Sequence, residues 1–459
     1  MDEYYQLAEE GYLIGEEHAK PDRGWGQFLP LPAELRGDSN PNSGGESENE
    51  HEWEQAYWRL WQVREQGIRA DFPYTEPDDF GTILAMADSP PKLQPLSQQE
   101  YEDRIKGAWF ARCAGVVLGK PLEMGFDRMM VRRYLESVNA YPLDDWVPAM
   151  SEQLDIRLRE DCVPSTRGNV RYVQPDDDIH YTVTSLLLAE KKGIHFTKLD
   201  AGMNLLDNIP YHWLWVADNQ IYYHMVNLSS SRPLEEQAED MRLMINPWRE
   251  CMDGQLKADL WGYITPGEPH KGAEYIHRQS ALSLVKNGLY GGMYVQGCIS
   301  AALSKSPTVE SIIAGGLSVI PANSRLACAV KDVIRWYEET PDWIVVCDRI
   351  YEKYGHWYFA AAIHNLCWVT LALLHGNLDY TSTITTAVMC GTDTDCNSAT
   401  AASIVGAAIG YEKLMSKPND ERWINDIHDT VRTVVADFGH GTVSELALRT
   451  VAVQNKLFG

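Results

Sequence analysis

Cysteine is sparse and unpatterned in this chain of 459 residues. Its nine cysteines (113, 162, 251, 298, 328, 347, 367, 390 and 396) are odd in number, scattered, and nowhere spaced Cys-x-x-Cys. That argues against a disulfide framework and a structural zinc site and fits a reducing compartment. Basic residues are also short, with 40 Lys and Arg against 65 Asp and Glu and a formal charge of −25. No basic stripe interleaves with aromatics, which argues against a nucleic-acid partner because phosphate contacts need clustered cations. No apolar run approaches the roughly 18 residues that a membrane span requires. The acidic start Met1 to Glu10 carries no signal-peptide core, so the chain is expected to be cytoplasmic. Also missing are G-x-G-x-x-G after a strand, a P-loop and a G-x-S-x-G elbow. His180, His364 and His375 have no partner at metal spacing, so packing or capping is their expected role.

What the chain does contain is two acidic clusters far apart, Gln174-Pro175-Asp176-Asp177-Asp178 and Gly391-Thr392-Asp393-Thr394-Asp395-Cys396-Asn397. After the first, Ile179, Val183, Leu186 and Leu187 recur with helical period before Lys191, Lys192 and Gly193 close the segment. After the second comes a run of small residues, Ser398 to Gly410, that would let a helix pack very close to its neighbours. Each cluster taken singly reads as an ordinary helix cap. An EF-hand loop from Asp393 fails because Ser398 stands where glycine is needed and Ile404 where glutamate is. If the clusters meet, five carboxylates cannot stay ionised together without a positive partner. One or two hard divalent cations, Mg²⁺ or a close relative, are the simplest such partner.

Three blocks resemble the ADP-ribosylglycohydrolase family. They are Arg104 to Glu123 with its glycines, the Asp176-Asp177-Asp178 cluster, and Gly391 to Asn397. Asn246 to Glu250, Ala258 to Gly267 and Lys286 to Met293 are similar to landmarks of a bacterial branch. The resemblance runs from about residue 100 to the C-terminus. It implies an all-α fold, a compact orthogonal helical domain, holding two Mg²⁺ ions, with Mn²⁺ as an alternative. It further implies Asp176, Asp177, Asp178, Asp393, Asp395 and Cys396 at the metal positions, and Glu123, Asp177 and Asp178 as the catalytic acids. Asn287, Gly288, Tyr290 and Gly291 would line the substrate. In this chain Asp176 replaces the family's usual hydroxyl residue, and Cys396 stands where many members have Thr or Ser. A thiol there either packs or biases the site towards a softer ion such as Mn²⁺ or Zn²⁺. Lys286 is read as a solvated lysine, and Arg249 with Glu250 as an ordinary ion pair.

The expected organisation is an N-terminal extension, residues 1–95, before a catalytic domain, residues 96–459. The extension contains a flexible linker (37–50) and a helix whose Trp53, Tyr57, Leu60, Trp61 and Val63 or Arg64 form an aromatic docking face. Ser97-Gln-Gln-Glu100 is a capping box that opens the next helix. The expected function is hydrolysis of an N-glycosidic bond to ribose, releasing ADP-ribose from a modified side chain or small molecule. A smaller N-riboside or nucleoside-type metabolite is the alternative substrate, and a non-catalytic binding or structural protein is the reading from another class. The residues leave the oligomeric state open.

Overall fold

In a computed structural model, residues 2–14, 48–151, 154, 158–228 and 230–459 are described. Among the described residues the chain is all-α apart from one antiparallel hairpin, Val431–Val435 with Phe438–Gly441. The proposed linker falls largely outside the described residues, but its last three, Glu48 to Glu50, open the helix Glu48–Val63.

The capping box forms as its spacing predicts. Ser97 N donates to Glu100 Oε2 at 2.8 Å and Glu100 N to Ser97 Oγ at 3.3 Å, starting the helix Gln98–Gly119. This helix packs antiparallel against Thr394–Ile409, glycine against small residue. A Cβ on Gly115 would lie 2.7 Å from Ser398 O, and one on Gly107 would lie 2.6 Å from the carbonyl carbon of Gly410. Such close approach lets hydroxyls bridge the backbones: Thr394 Oγ1 donates to Gly119 O at 2.7 Å, and Ser398 Oγ to Gly115 O at 2.6 Å. The register is thereby set so that the second acidic cluster lies beside the C-terminal end of Gln98–Gly119.

The helix Asp177–Lys192 is closed by Gly193 at φ 65°. The hairpin ties down the chain just before it, since Val173 N donates to Thr430 O and Arg432 N to Val173 O. A continuous core containing the fully buried Trp109, Trp261, Trp368 and Trp423 surrounds these elements.

The N-terminal segments lie on this body. Tyr57, Leu60 and Val63 are buried, with Tyr57 packed on Met244 and Ile245, and Tyr57 Oη accepts from Ile245 N at 2.6 Å. Nothing is described of the Trp53 side chain. No helix among the described residues is long and apolar enough to cross a membrane.

Candidate metal and active site

Three helix ends converge: the segment Lys120 to Glu123 after the helix Gln98–Gly119, and the N-termini of Asp177–Lys192 and Thr394–Ile409. Two groups of potential ligand atoms result, each with all its atoms within 4.8 Å of one another. One joins Asp178, Asp395 and Cys396; the other joins Glu123, Asp393 and Asp395. Asp395 belongs to both. Helix N-termini favour negative charge, so two of them facing inward help hold the carboxylates.

The capping explanation holds for one cluster only. Asp176 caps its helix, with Oδ1 accepting from Asp178 N at 3.1 Å, while its Oδ2 pairs with Lys120 Nζ at 2.5 Å. Both its oxygens thus make contacts, as helix cap and as counter-ion of Lys120. Asp393 occupies the equivalent N-cap position yet makes no capping hydrogen bond. Its Oδ1 and the Oδ2 of Asp178 are buried without hydrogen-bond partners. Asp395 Oδ1 accepts from Cys396 N at 3.0 Å. Asp177 opens its helix, half-buried beside Asp178.

Burial, followed by Asp395 and Asp393, pushes the Glu123 carboxyl well above the usual range. Burial with Asp176 and Asp395 does the same to Asp177, and burial with Asp395 to Asp178 and Asp393. Burial and Asp176 also raise Asp395, partly offset by Lys120. Internal cations compensate incompletely. Arg112, fully buried, donates to Asp178 O at 2.7 Å and sits 3.0 Å from Asp259 Oδ2. Arg159 reaches Glu123 at 3.2 Å from the partly exposed rim. Lys120 loses affinity for its proton through burial and regains more from Asp176, Asp395 and Glu123.

Lys120, Arg112 and Arg159 went unassigned in the sequence. A lone arginine inside the apolar stretch Ala108 to Gly119 was the signal that marked Arg112 as a buried counter-charge.

The donor set fits a hard divalent cation: carboxylate oxygens in excess, two of them unpartnered, around a shared aspartate. Cys396 fits less well. Its sulfur is a soft donor, and burial and then Asp178 push the thiol up. The residue is 6% exposed and belongs to an apolar cluster with Tyr181, Met252 and Leu256. Partly exposed Trp213, Tyr222, Tyr358 and Phe359 pack on that cluster. His180 lies edge-on to Trp213 and accepts from Val434 N at 3.2 Å; burial lowers its pKa to about 4. His364 is likewise packed, lowered to about 4 by burial, with Nε2 3.1 Å from Phe359 O.

The four residues assigned to substrate make their contacts elsewhere than with Glu123, Asp177, Asp178, Asp393 and Asp395. Asn287 Nδ2 donates to Glu76 Oε1 at 2.8 Å and Glu250 Oε1 at 2.9 Å, and its Oδ1 accepts from Leu326 N at 2.9 Å. Tyr290 Oη donates to Pro77 O. Gly288 and Gly291 face the chain around Arg249 to Cys251 and the side chains of Leu366 and Ala362. Lys286 is 7% exposed and pairs with Glu10 at 3.0 Å, so it is not a solvated lysine. Arg249 does not pair with Glu250 either. It binds Glu3 and Glu10 at 2.8 and 2.6 Å, and Glu250 binds Arg325 at 2.7 Å.

A family model described as ADP-ribosylglycohydrolase matches residues 97–456. One solved structure, described as an "ADP-ribosylglycohydrolase-related protein complex", is similar at 14% identity with a TM-score of 0.45, the match covering 78% of this chain and 99% of that one. No curated protein matches.

Proposed function

The chain belongs to the ADP-ribosylglycohydrolase family, and on that premise we propose that it is a metal-dependent hydrolase of an N-glycosidic bond to ribose, releasing ADP-ribose from a modified side chain or small molecule. The observation that carries the reading is Asp395 shared between two acidic groups with unpartnered buried oxygens. Asp178 and Cys396 flank one cation position and Glu123 and Asp393 the other, with Mg²⁺ the expected ion. Lewis acidity towards sugar hydroxyls and water is the chemistry such ions supply when bound.

The protein's own groups do the rest. Glu123, with an 18% exposed side chain and Arg159 at its flank, is the carboxylate placed to take a proton from an attacking water. Asp177, at the helix mouth, adds negative charge that stabilises an oxocarbenium-like sugar. Lys120 and Arg112 hold Asp176 and Asp178 in place, and Trp213 and Phe359, packed on the cluster that contains Cys396, offer ring faces to a flat, apolar part of the substrate.

A smaller N-riboside is the second reading. It is favoured by the engagement of Lys286 and Asn287 with the N-terminal segment, which leaves neither free for a diphosphate. A non-catalytic role is disfavoured because a scaffold gains nothing from so much crowded negative charge.

The test is mass-spectrometric detection of free products from ADP-ribosylated side-chain analogues, NAD-derived compounds and simple N-ribosides, with Mg²⁺ and with EDTA. Mg²⁺-dependent release of ADP-ribose is the expected outcome. Release from small ribosides alone selects the second reading, and turnover undiminished by EDTA rejects metal dependence.

A further inference from the structure

Away from the acidic site, the helix Asp2–Glu9 and the segment around Trp357 enclose a cleft of about 160 Å³. Tyr5, Trp248, Trp357 and Tyr358 supply most of its wall, and Glu9 and His356 its polar edge. Among the described residues Glu9 is the one carboxylate of the lining, which contains neither lysine nor arginine.

Aromatic faces carry negative electrostatic potential and attract cations, most strongly those that shed water easily. A carboxylate at the edge of such a box adds charge complementarity that an uncharged guest does not exploit. Glu9 is only lightly held: its Oε1 lies 3.3 Å from His356 Nε2, and the two side chains are 40% and 56% exposed. Arg325, 5.5 Å from the Trp357 ring, has its charge met by Glu76 and Glu250. The whole-chain charge of −25 also concentrates cations near the surface.

Size narrows the guest further. The cleft is well below the roughly 300 Å³ at which drug-sized pockets begin, so it suits a compact head group and not a nucleotide.

We propose that this cleft is a binding site for a small organic cation of the quaternary ammonium class, caged by Tyr5, Trp248, Trp357 and Tyr358 and neutralised by Glu9. The site is separate from the acidic centre and does not depend on how that centre is read.

The experiment titrates the full-length protein with tetramethylammonium chloride and with tert-butanol, an uncharged alcohol of the same tetrahedral heavy-atom skeleton, against matched sodium chloride. Tryptophan fluorescence reports binding, at one pH throughout. Saturable binding of the cation is expected, with the alcohol weaker by about tenfold, and Glu9→Gln and Trp357→Leu each weakening the cation by about three- to thirtyfold. Equal binding of the alcohol, no saturation by the cation, or unchanged affinity in a folded Glu9→Gln protein each overturns the proposal. Should Glu9→Gln or Trp357→Leu fail to fold, Tyr5→Leu carries the test, because Tyr5 is already 59% exposed and its loss leaves little to destabilise.

Discussion

Asp395 is the residue on which the acidic site turns, because both ligand groups include it. In Asp395→Asn, the rise in Tm that Mg²⁺ produces in the native sequence should vanish. The native protein should gain about 2.7 kcal/mol at a cation concentration about 100 times its Kd. Without metal the variant should be as stable as the native protein or more so, since one like charge has left a crowded site; calorimetry with and without EDTA reads both effects. A second buried acid lies outside this site. Burial and then Asp218 push Asp253 up from 3.8 to about 7, against the pull of Lys257. Its folded pKa exceeds its unfolded one, so the native state binds the extra proton, and stability falls as pH rises from about 3.8 to about 7. Asp253→Asn should flatten that part of the Tm-versus-pH curve.

The helix pair Gln98–Gly119 and Thr394–Ile409 converts sequence-distant acids into one site. A Cβ on Gly119 would run into Thr394 O and Asp395 Cα, so only glycine permits the contact. Gly119→Ala should cost about 1–3 kcal/mol, as overpacking does, and should weaken Mg²⁺ binding by moving Asp395 away from Lys120 and Glu123. Urea denaturation and isothermal titration on the same preparation would check the two effects together. The turn before Asp393 is also held from outside: Tyr351 Oη donates to Cys390 O at 2.7 Å and lies 3.0 Å from Thr392 Oγ1. Thr392 has φ 74° and Gly391 φ 81°, and a Cβ at Gly391 would come 2.6 Å from Arg128 N. That turn therefore needs both a glycine and a tertiary clamp.

Across the molecule, a buried ionic network fastens the N-terminal segments to the body. Glu3, Glu10 and Glu76 meet Arg249, Lys286 and Arg325, with Glu250 and Arg64 completing the set. Burial alone would raise Glu10, yet Arg249 and Lys286 hold it well below the usual carboxylate range. Removing one partner of such a set strands the others without water. Arg249→Ala should accordingly cost roughly 3–5 kcal/mol in urea denaturation, with loosening of the N-terminal segments visible as faster proteolysis there.

Much of this was legible in the chain. The capping box at Ser97, the periodic run after Asp178, the small-residue helix after Asn397 and the aromatic stripe through Tyr57 are local patterns, written within a few residues of where they act. The acidic clusters could be read because several carboxylates together are chemically unusual. Lys286 and Arg249 were misread because a cation's partner is chosen by the fold: Glu10 is 276 positions from Lys286 and 239 from Arg249.

By itself, then, the sequence determined the helices, their caps and the residue types available for chemistry, since hydrogen bonding within a turn and helical periodicity are short-range. Tertiary structure alone decided that Asp395 is shared, that Asp176 pairs with Lys120, and that Asn287 faces Glu76. Those outcomes depend on which distant groups burial forces together, and in a low-dielectric interior the pairing of charges is settled by contact geometry, not by proximity along the chain.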